Sequence, residues 1–185
     1  NTLFIILTVQ IILGAFDNLW HHEITERLPA KRSARWEIML HSLREFFYAF
    51  LFFALAWSTW HGVWAYVLLA IFLLEIGITL ADFVIEDMTR RLPAFERVLH
   101  TILAINVGVF MTLFTPIAIE WSAHTSAIVP TSYGLWSIFL SICGVGVLLW
   151  AIRDAVAALR WLRPPAWRRQ PFTIGRKANP RTVLI

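Results

Sequence analysis

The chain has 185 residues, 58% hydrophobic and 15% charged, with a mean hydropathy of +0.66. Soluble globular domains carry about 25% charged residues, so a water-soluble fold is excluded. A single Cys rules out a disulfide framework and a cysteine-based zinc knot. The 16 basic and 12 acidic residues give a net charge of +4, and their placement points to a membrane rather than to nucleic acid.

A hydrocarbon core about 30 Å thick needs about 20 mostly apolar helical residues. Five stretches reach or approach that length: 2–26, 36–58, 63–88, 96–120 and 133–158. They are too long and too continuous for alternating barrel strands, which leaves helices. The expected fold class is an all-α integral membrane protein with five transmembrane helices. The first starts at Asn1 with no initiator Met and no basic leader, so upstream residues are expected to be missing or processed.

The basic residues fall in three places, Arg27 to Arg44, Arg90 to Arg97 and Arg153 to Arg181, and none lies in 45–89 or 98–152. The positive-inside rule then places the Pro29 turn, the Pro93 turn and the C-terminus in the cytoplasm. The N-terminus, the Trp57–Gly62 turn and the Ser122–Tyr133 loop are expected outside a plasma or inner membrane. Trp57, Trp60, Trp64 and Trp121 lie at the outer ends, and Trp20, Trp36, Trp161 and Trp167 near the inner ones, as interfacial anchors do. The basic, Pro-broken tail 160–185 is expected to lie on anionic lipid headgroups or on the acidic surface of a partner subunit in a larger membrane complex. Nucleic acid is not expected as a partner.

Thr25, Arg27, Leu28, Pro29 and Ala30 are matched 64 positions later by Thr89, Arg91, Leu92, Pro93 and Ala94. Past the turn, Glu37, Leu40, His41 and Ser42 are matched 59 positions later by Glu96, Leu99, His100 and Thr101. This predicts a duplicated helical hairpin, 1–58 and 59–121, followed by an outer loop and fifth helix, 122–159. Both copies run in the same sense, so their pseudo-two-fold axis would stand along the membrane normal. Helices 1 to 4 are expected to form a four-helix bundle with helix 5 peripheral, its small residues Gly144 and Gly146 giving a face for close helix contact.

Each bundle helix carries an ionisable stripe. Glu37, His41 and Glu45 are four apart on helix 2, and Glu96 and His100 repeat the spacing on helix 4. On helix 3 Glu75, Asp82 and Glu86 share a face, and on helix 1 Asp17 with His21, or Asn18 with His22, are four apart. At about 1.5 Å per residue, His22, Glu86, His41 and His100 all fall about 9–12 Å from their turns. Charged groups at such depth face the bundle interior and must pair or bind something.

The set His22, His41, Glu45, Asp82, Glu86 and His100, with Glu37 and Glu96, resembles the ligand set of the di-iron or di-manganese carboxylate bundles. Those space Glu and His three apart, whereas here the spacing is four. Asp17, Asn18, His21, Glu75 and Arg44 are expected as alternative ligands or supports. The resemblance implies a divalent metal, with two iron ions as the first expectation and haem on His41 and His100 as the weaker one. A competing reading makes Glu37 and Glu96 mere complements to the dipoles of helices 2 and 4. Glu23, Glu26 and Asp87 are expected as surface partners of Arg27, Arg90 or Arg91, an ion-pair network around Arg44 is an alternative to metal, and His61 and His124 are expected to be solvated.

Three functions compete. The first is a dinuclear metal oxidoreductase acting on a lipid-soluble substrate or in electron transfer. The second is an accessory subunit of a larger complex, binding haem or a pigment. The third is a proton or metal-ion transporter, against which stands the scarcity of titratable groups in the outer half of the spans.

Overall fold

A computed structural model describes residues 2–162. The basic tail expected on the inner leaflet therefore lies, past Leu162, outside the described residues. Helix α1 (Thr2–Asp17) continues into a π-helical segment at Asn18–Thr25, and a short 3-10 turn at Leu28–Ala30 leads to α2 (Arg35–Trp57). Strand β1 (Ser58–His61), α3 (Val63–Thr89), α4 (Ala94–Ser122), β2 (Ala127–Pro130) and α5 (Leu135–Leu162) follow. Five helical segments of 23 to 29 residues are long and apolar enough to cross a membrane, so the chain reads as an integral membrane protein.

The breaks between spans have local causes. Arg27 takes a left-handed conformation (φ 50°), and Pro29 sits inside the following 3-10 turn. Pro93, which cannot continue a helix from the preceding residue, stands as the N-cap of α4. Gly62 joins β1 to α3 at φ 60°, where a side chain would collide with Ser126.

The two expected outer loops are joined. β1 and β2 pair antiparallel with Ser58 opposite Pro130 and His61 opposite Ala127, and Thr131 N–H donates to Trp57 O at 2.9 Å. His61 and His124 stack at the end of this clip, with ring centroids 4.8 Å apart. The sequence gives no strand signal here because the pairing joins segments about 70 residues apart and relies on backbone groups.

α1 lies against α4, α2 against α3, and α3 against α4, while α5 runs along α2. The sequence reading places helix 5 outside the first four helices, yet α2 and α5 are the closest pair in the fold. Ser137 Oγ donates to Ala56 O at 2.5 Å and Ser42 Oγ to Ala151 O at 2.8 Å, so both ends of α5 are tied to α2. Gly144 lets the Phe53 ring come close, since a Cβ there would lie 3.0 Å from it. α2 is accordingly the most enclosed span, with 44% of its most apolar window buried against 17–22% elsewhere.

The interior has two halves. Toward the β1–β2 end it is apolar, built from Leu51, Phe52, Leu68, Phe72, Phe110, Phe114 and Leu140. Toward the other end, Asp17, His21, His22, Glu37, His41, Asp82, Glu86, Glu96 and His100 are all buried. Outward faces are apolar, as at Leu73, Leu80, Ile105, Ile142 and Leu149, which suits contact with lipid.

Candidate metal centre

The site begins where α1 stops being an α-helix. In the Asn18–Thr25 segment Glu26 N–H reaches back five residues to His21 O (2.7 Å), and Thr25 Oγ1 donates to Trp20 O five residues back (2.8 Å). A π-helix fits more residues into each turn than an α-helix. The widened turn lets Asp17 and both adjacent histidines, His21 and His22, be buried together. A regular α-helix would separate neighbouring side chains by about 100° and turn one of the two histidines away.

Two groups of side chains each have donor atoms within 4.8 Å of one another: Asp17, His22, Glu96 and His100, and His22, His41 and Glu86. They share His22. His100 Nε2 is 3.0 Å from Asp17 Oδ2, and His22 Nε2 is 3.6 Å from Glu96 Oε1 and 3.8 Å from Asp17 Oδ2. Glu86 stands between the other imidazoles, with Oε2 3.4 Å from His100 Nδ1 and Oε1 3.5 Å from His41 Nε2. The rings of His22 and His41 are stacked, centroids 4.3 Å apart and 10° from parallel.

These separations matter because most are too long for good hydrogen bonds. Both ring nitrogens of His22, Nε2 of His41, both oxygens of Glu86 and Oδ1 of Asp82 are buried and make no hydrogen bond. An unsatisfied buried polar group costs about 1–3 kcal/mol, more when charged. A cation held at about 2.1 Å by each donor would leave neighbouring donors about 3.0–3.4 Å apart, close to what is observed.

Two guanidinium groups enter the cluster. Arg44 donates from Nη1 to Asp82 Oδ2 at 2.6 Å, and Asp82 Oδ2 also lies 3.0 Å from His41 Nε2. Arg90, at the end of α3, clasps Glu96 with both terminal nitrogens (2.9 and 2.5 Å) and Glu37 from Nε (3.0 Å). Burial works against the charge of Arg90, but the hydrogen bonds to Glu96 and Glu37 outweigh it and hold its pKa well above the ordinary value. Glu37 and Glu96 are both fully buried, so the helix-dipole reading alone does not describe them.

The expected surface pairing of Arg90 is thus corrected. Glu26 pairs with Lys31 at 2.8 Å, Glu23 pairs with Arg153, and Arg90 turns inward. Linear reading groups Arg90 with Arg91 and Arg97 as interfacial charges. The available signal is in the repeat: at a shift of 64, Arg90 falls opposite Glu26, a charge reversal within an otherwise matched turn.

The remaining candidates surround this core. His21 Nδ1 donates to Asp17 Oδ1 at 2.6 Å, orienting that carboxylate. Glu75 accepts from Thr79 Oγ1 at 2.8 Å and lies 3.8 Å from Arg44 Nε, one layer deeper. Glu45 accepts from Asn18 Nδ2 at 2.6 Å and joins neither ligand group. Asp154 on α5 is buried beside Arg153, an acid the bundle reading leaves aside.

A cavity of about 360 Å³ opens beside the cluster, lined at its polar end by Asp17, Asn18, His22, His41, Arg44 and Glu45. Its walls come from α1, α2, α4 and α5, so α5 contributes directly to the site. The sequence matches no protein-family model, no curated protein and no solved structure.

Proposed function

We propose that the protein is a membrane-embedded metalloprotein whose helices α1 to α4 hold a dinuclear divalent-cation centre, iron being the first candidate. In this reading Asp17, His22, Glu96 and His100 would serve one ion, and His41 and Glu86, with Asp82 beside His41, the other, since a neutral His22 imidazole has one lone pair to give. The carrying observation is the meeting of buried imidazoles and carboxylates around His22, among which both His22 nitrogens, His41 Nε2 and both Glu86 oxygens make no hydrogen bond.

Charge supports two ions. Six carboxylates on α1 to α4 are buried, Asp17, Glu37, Glu75, Asp82, Glu86 and Glu96, with Glu45 half-buried beside them, while a seventh buried acid, Asp154 on α5, is paired with Arg153. Arg44 and Arg90 are the guanidinium groups that meet those of α1 to α4. Fully ionised, these six acids and Glu45 exceed the two bases by five charges, and two divalent cations cancel four. An unpaired buried ion costs several kcal/mol. Mixed carboxylate and imidazole ligands suit iron or manganese.

The matched pairs of the sequence repeat also meet here. His41 and His100 both reach Glu86, and Glu37 and Glu96 are both clasped by Arg90. This supports a duplicated hairpin whose two copies face one centre. The cytoplasmic assignment of the basic turns puts the centre near the inner leaflet. Such a centre with a lateral cavity suits redox chemistry on a lipid-soluble molecule. Haem between His41 and His100 is disfavoured, since the two rings share one carboxylate and His22 covers a face of His41.

The test is elemental analysis of protein extracted in mild detergent, alongside His22→Ala, His41→Ala and His100→Ala. About two metal ions per chain are expected, with about one lost in each variant. Wild-type protein without stoichiometric metal, refolded or reconstituted with Fe(II) or Mn(II), ends the proposal.

A further inference from the structure

The cavity beside the centre has a composition that selects its occupant. Ile11, Gly14, Ala15, Phe52, Leu103 and Val147 make its walls apolar, and it opens sideways where Ala15 of α1 and Gly146 of α5 are exposed. A Cβ built on Gly14 or Gly146 would meet nothing within 4 Å. The gap is therefore kept open by small residues on facing helices. Its volume of about 360 Å³ lies in the range of ligand pockets, about 300–1,000 Å³.

At the inner end the lining carries both unpartnered donors and unpartnered acceptors. Arg44 Nε and Trp150 Nε1 are buried N–H groups without a hydrogen bond, and Asn18 Oδ1 and Glu45 Oε2 are buried oxygens without one. A ligand head that only accepts, or only donates, would leave one of these sets unsatisfied. A hydroxyl does both.

Charge narrows the class further. Among the described residues lining the cavity, Arg44 is the one Arg or Lys, and its Nη1 is committed to Asp82 at 2.6 Å. Asp17 and Glu45 share the lining. An anionic head would therefore meet two acidic side chains in the same lining.

We infer that this cavity binds an uncharged single-chain lipid bearing a hydroxyl head, aliphatic or phenolic, with its chain leaving between α1 and α5. This rests on the metal-centre reading, since the occupied centre sets the charge of the cavity's inner end. The hydroxyl would satisfy Arg44 Nε or Trp150 Nε1 and the facing oxygens, close to the proposed ions.

Radiolabelled hexadecanol, decylhydroquinone and palmitate are each incubated with the metal-loaded full chain in detergent. Retention after gel filtration is measured with metal content on the same fractions. About one mole of hexadecanol or decylhydroquinone per mole is expected, with palmitate retained at least tenfold less. Retention of one and not the other identifies the head as aliphatic or phenolic. Gly14→Leu and Gly146→Leu are each expected to lower retention at least tenfold with metal and helical circular dichroism unchanged, and a monodisperse variant of either kind suffices. Palmitate retained as well as the alcohols, neither alcohol retained by metal-replete protein, or both plugged variants binding like wild type would overturn the inference. Absence of metal from the wild type would instead refute the reading beneath it.

Discussion

Replacing Arg90 by Met removes the cation that holds two fully buried carboxylates and leaves the aliphatic bulk in place. Glu96 loses two hydrogen bonds, at 2.9 and 2.5 Å, and Glu37 loses the bond at 3.0 Å while its Oε2 is already unpartnered. Breaking a buried ion pair from one side costs about 3–5 kcal/mol, mostly the penalty of the orphaned charge. The Arg90 side chain is only 12% exposed, so little of this is screened by water. Arg90→Met should therefore lose about 3–5 kcal/mol in SDS titration of detergent-solubilised protein, followed by far-ultraviolet circular dichroism. The triple variant Arg90→Met with Glu37→Gln and Glu96→Gln removes charge with charge and should recover more than half of the loss. An Arg90→Met protein within about 1 kcal/mol of wild type, or a triple variant no better than the single one, would refute this account.

Metal retention should fall as pH is lowered, because protons compete for the same imidazole nitrogens and carboxylate oxygens; dialysis at stepped pH followed by elemental analysis measures it. Ser137 Oγ accepts from Tyr133 N–H at 2.8 Å and donates to Ala56 O, so Ser137→Ala should cost about 1–3 kcal/mol in the same titration. Gly144→Leu would force the Phe53 ring away and should destabilise by about 1–3 kcal/mol through strain between α2 and α5. An unshifted transition for Gly144→Leu would mean that the two helices separate without cost.

Much of this arrangement is legible in the sequence because membrane burial makes polar residues conspicuous. The five apolar stretches coincide with the five long helices to within a few residues at most ends, and the depth estimate for His22, His41, Glu86 and His100 predicts their meeting. Periodicity is where the reading runs out. Asp17, His21 and His22 invite an α-helical choice between the two histidines, whereas the π-helical turn buries both. Arg90 shows another limit: a guanidinium on a long stem at a helix end can snorkel outward or fold inward. The inward choice depends on Glu37 and Glu96, which come from two other helices. The importance of α5 is hidden likewise, since small residues such as Gly144 and Ser137 signal close approach without naming the partner helix.

The clip formed by β1 and β2 has a mechanical consequence. It ties the turn between α2 and α3 to the loop between α4 and α5, far from the acid-rich end. Rocking one hairpin against the other would have to peel this ladder apart or pivot about it. The ladder thus holds the apolar half together, and the opposite, acid-rich rim is the end with no such strap among the described residues.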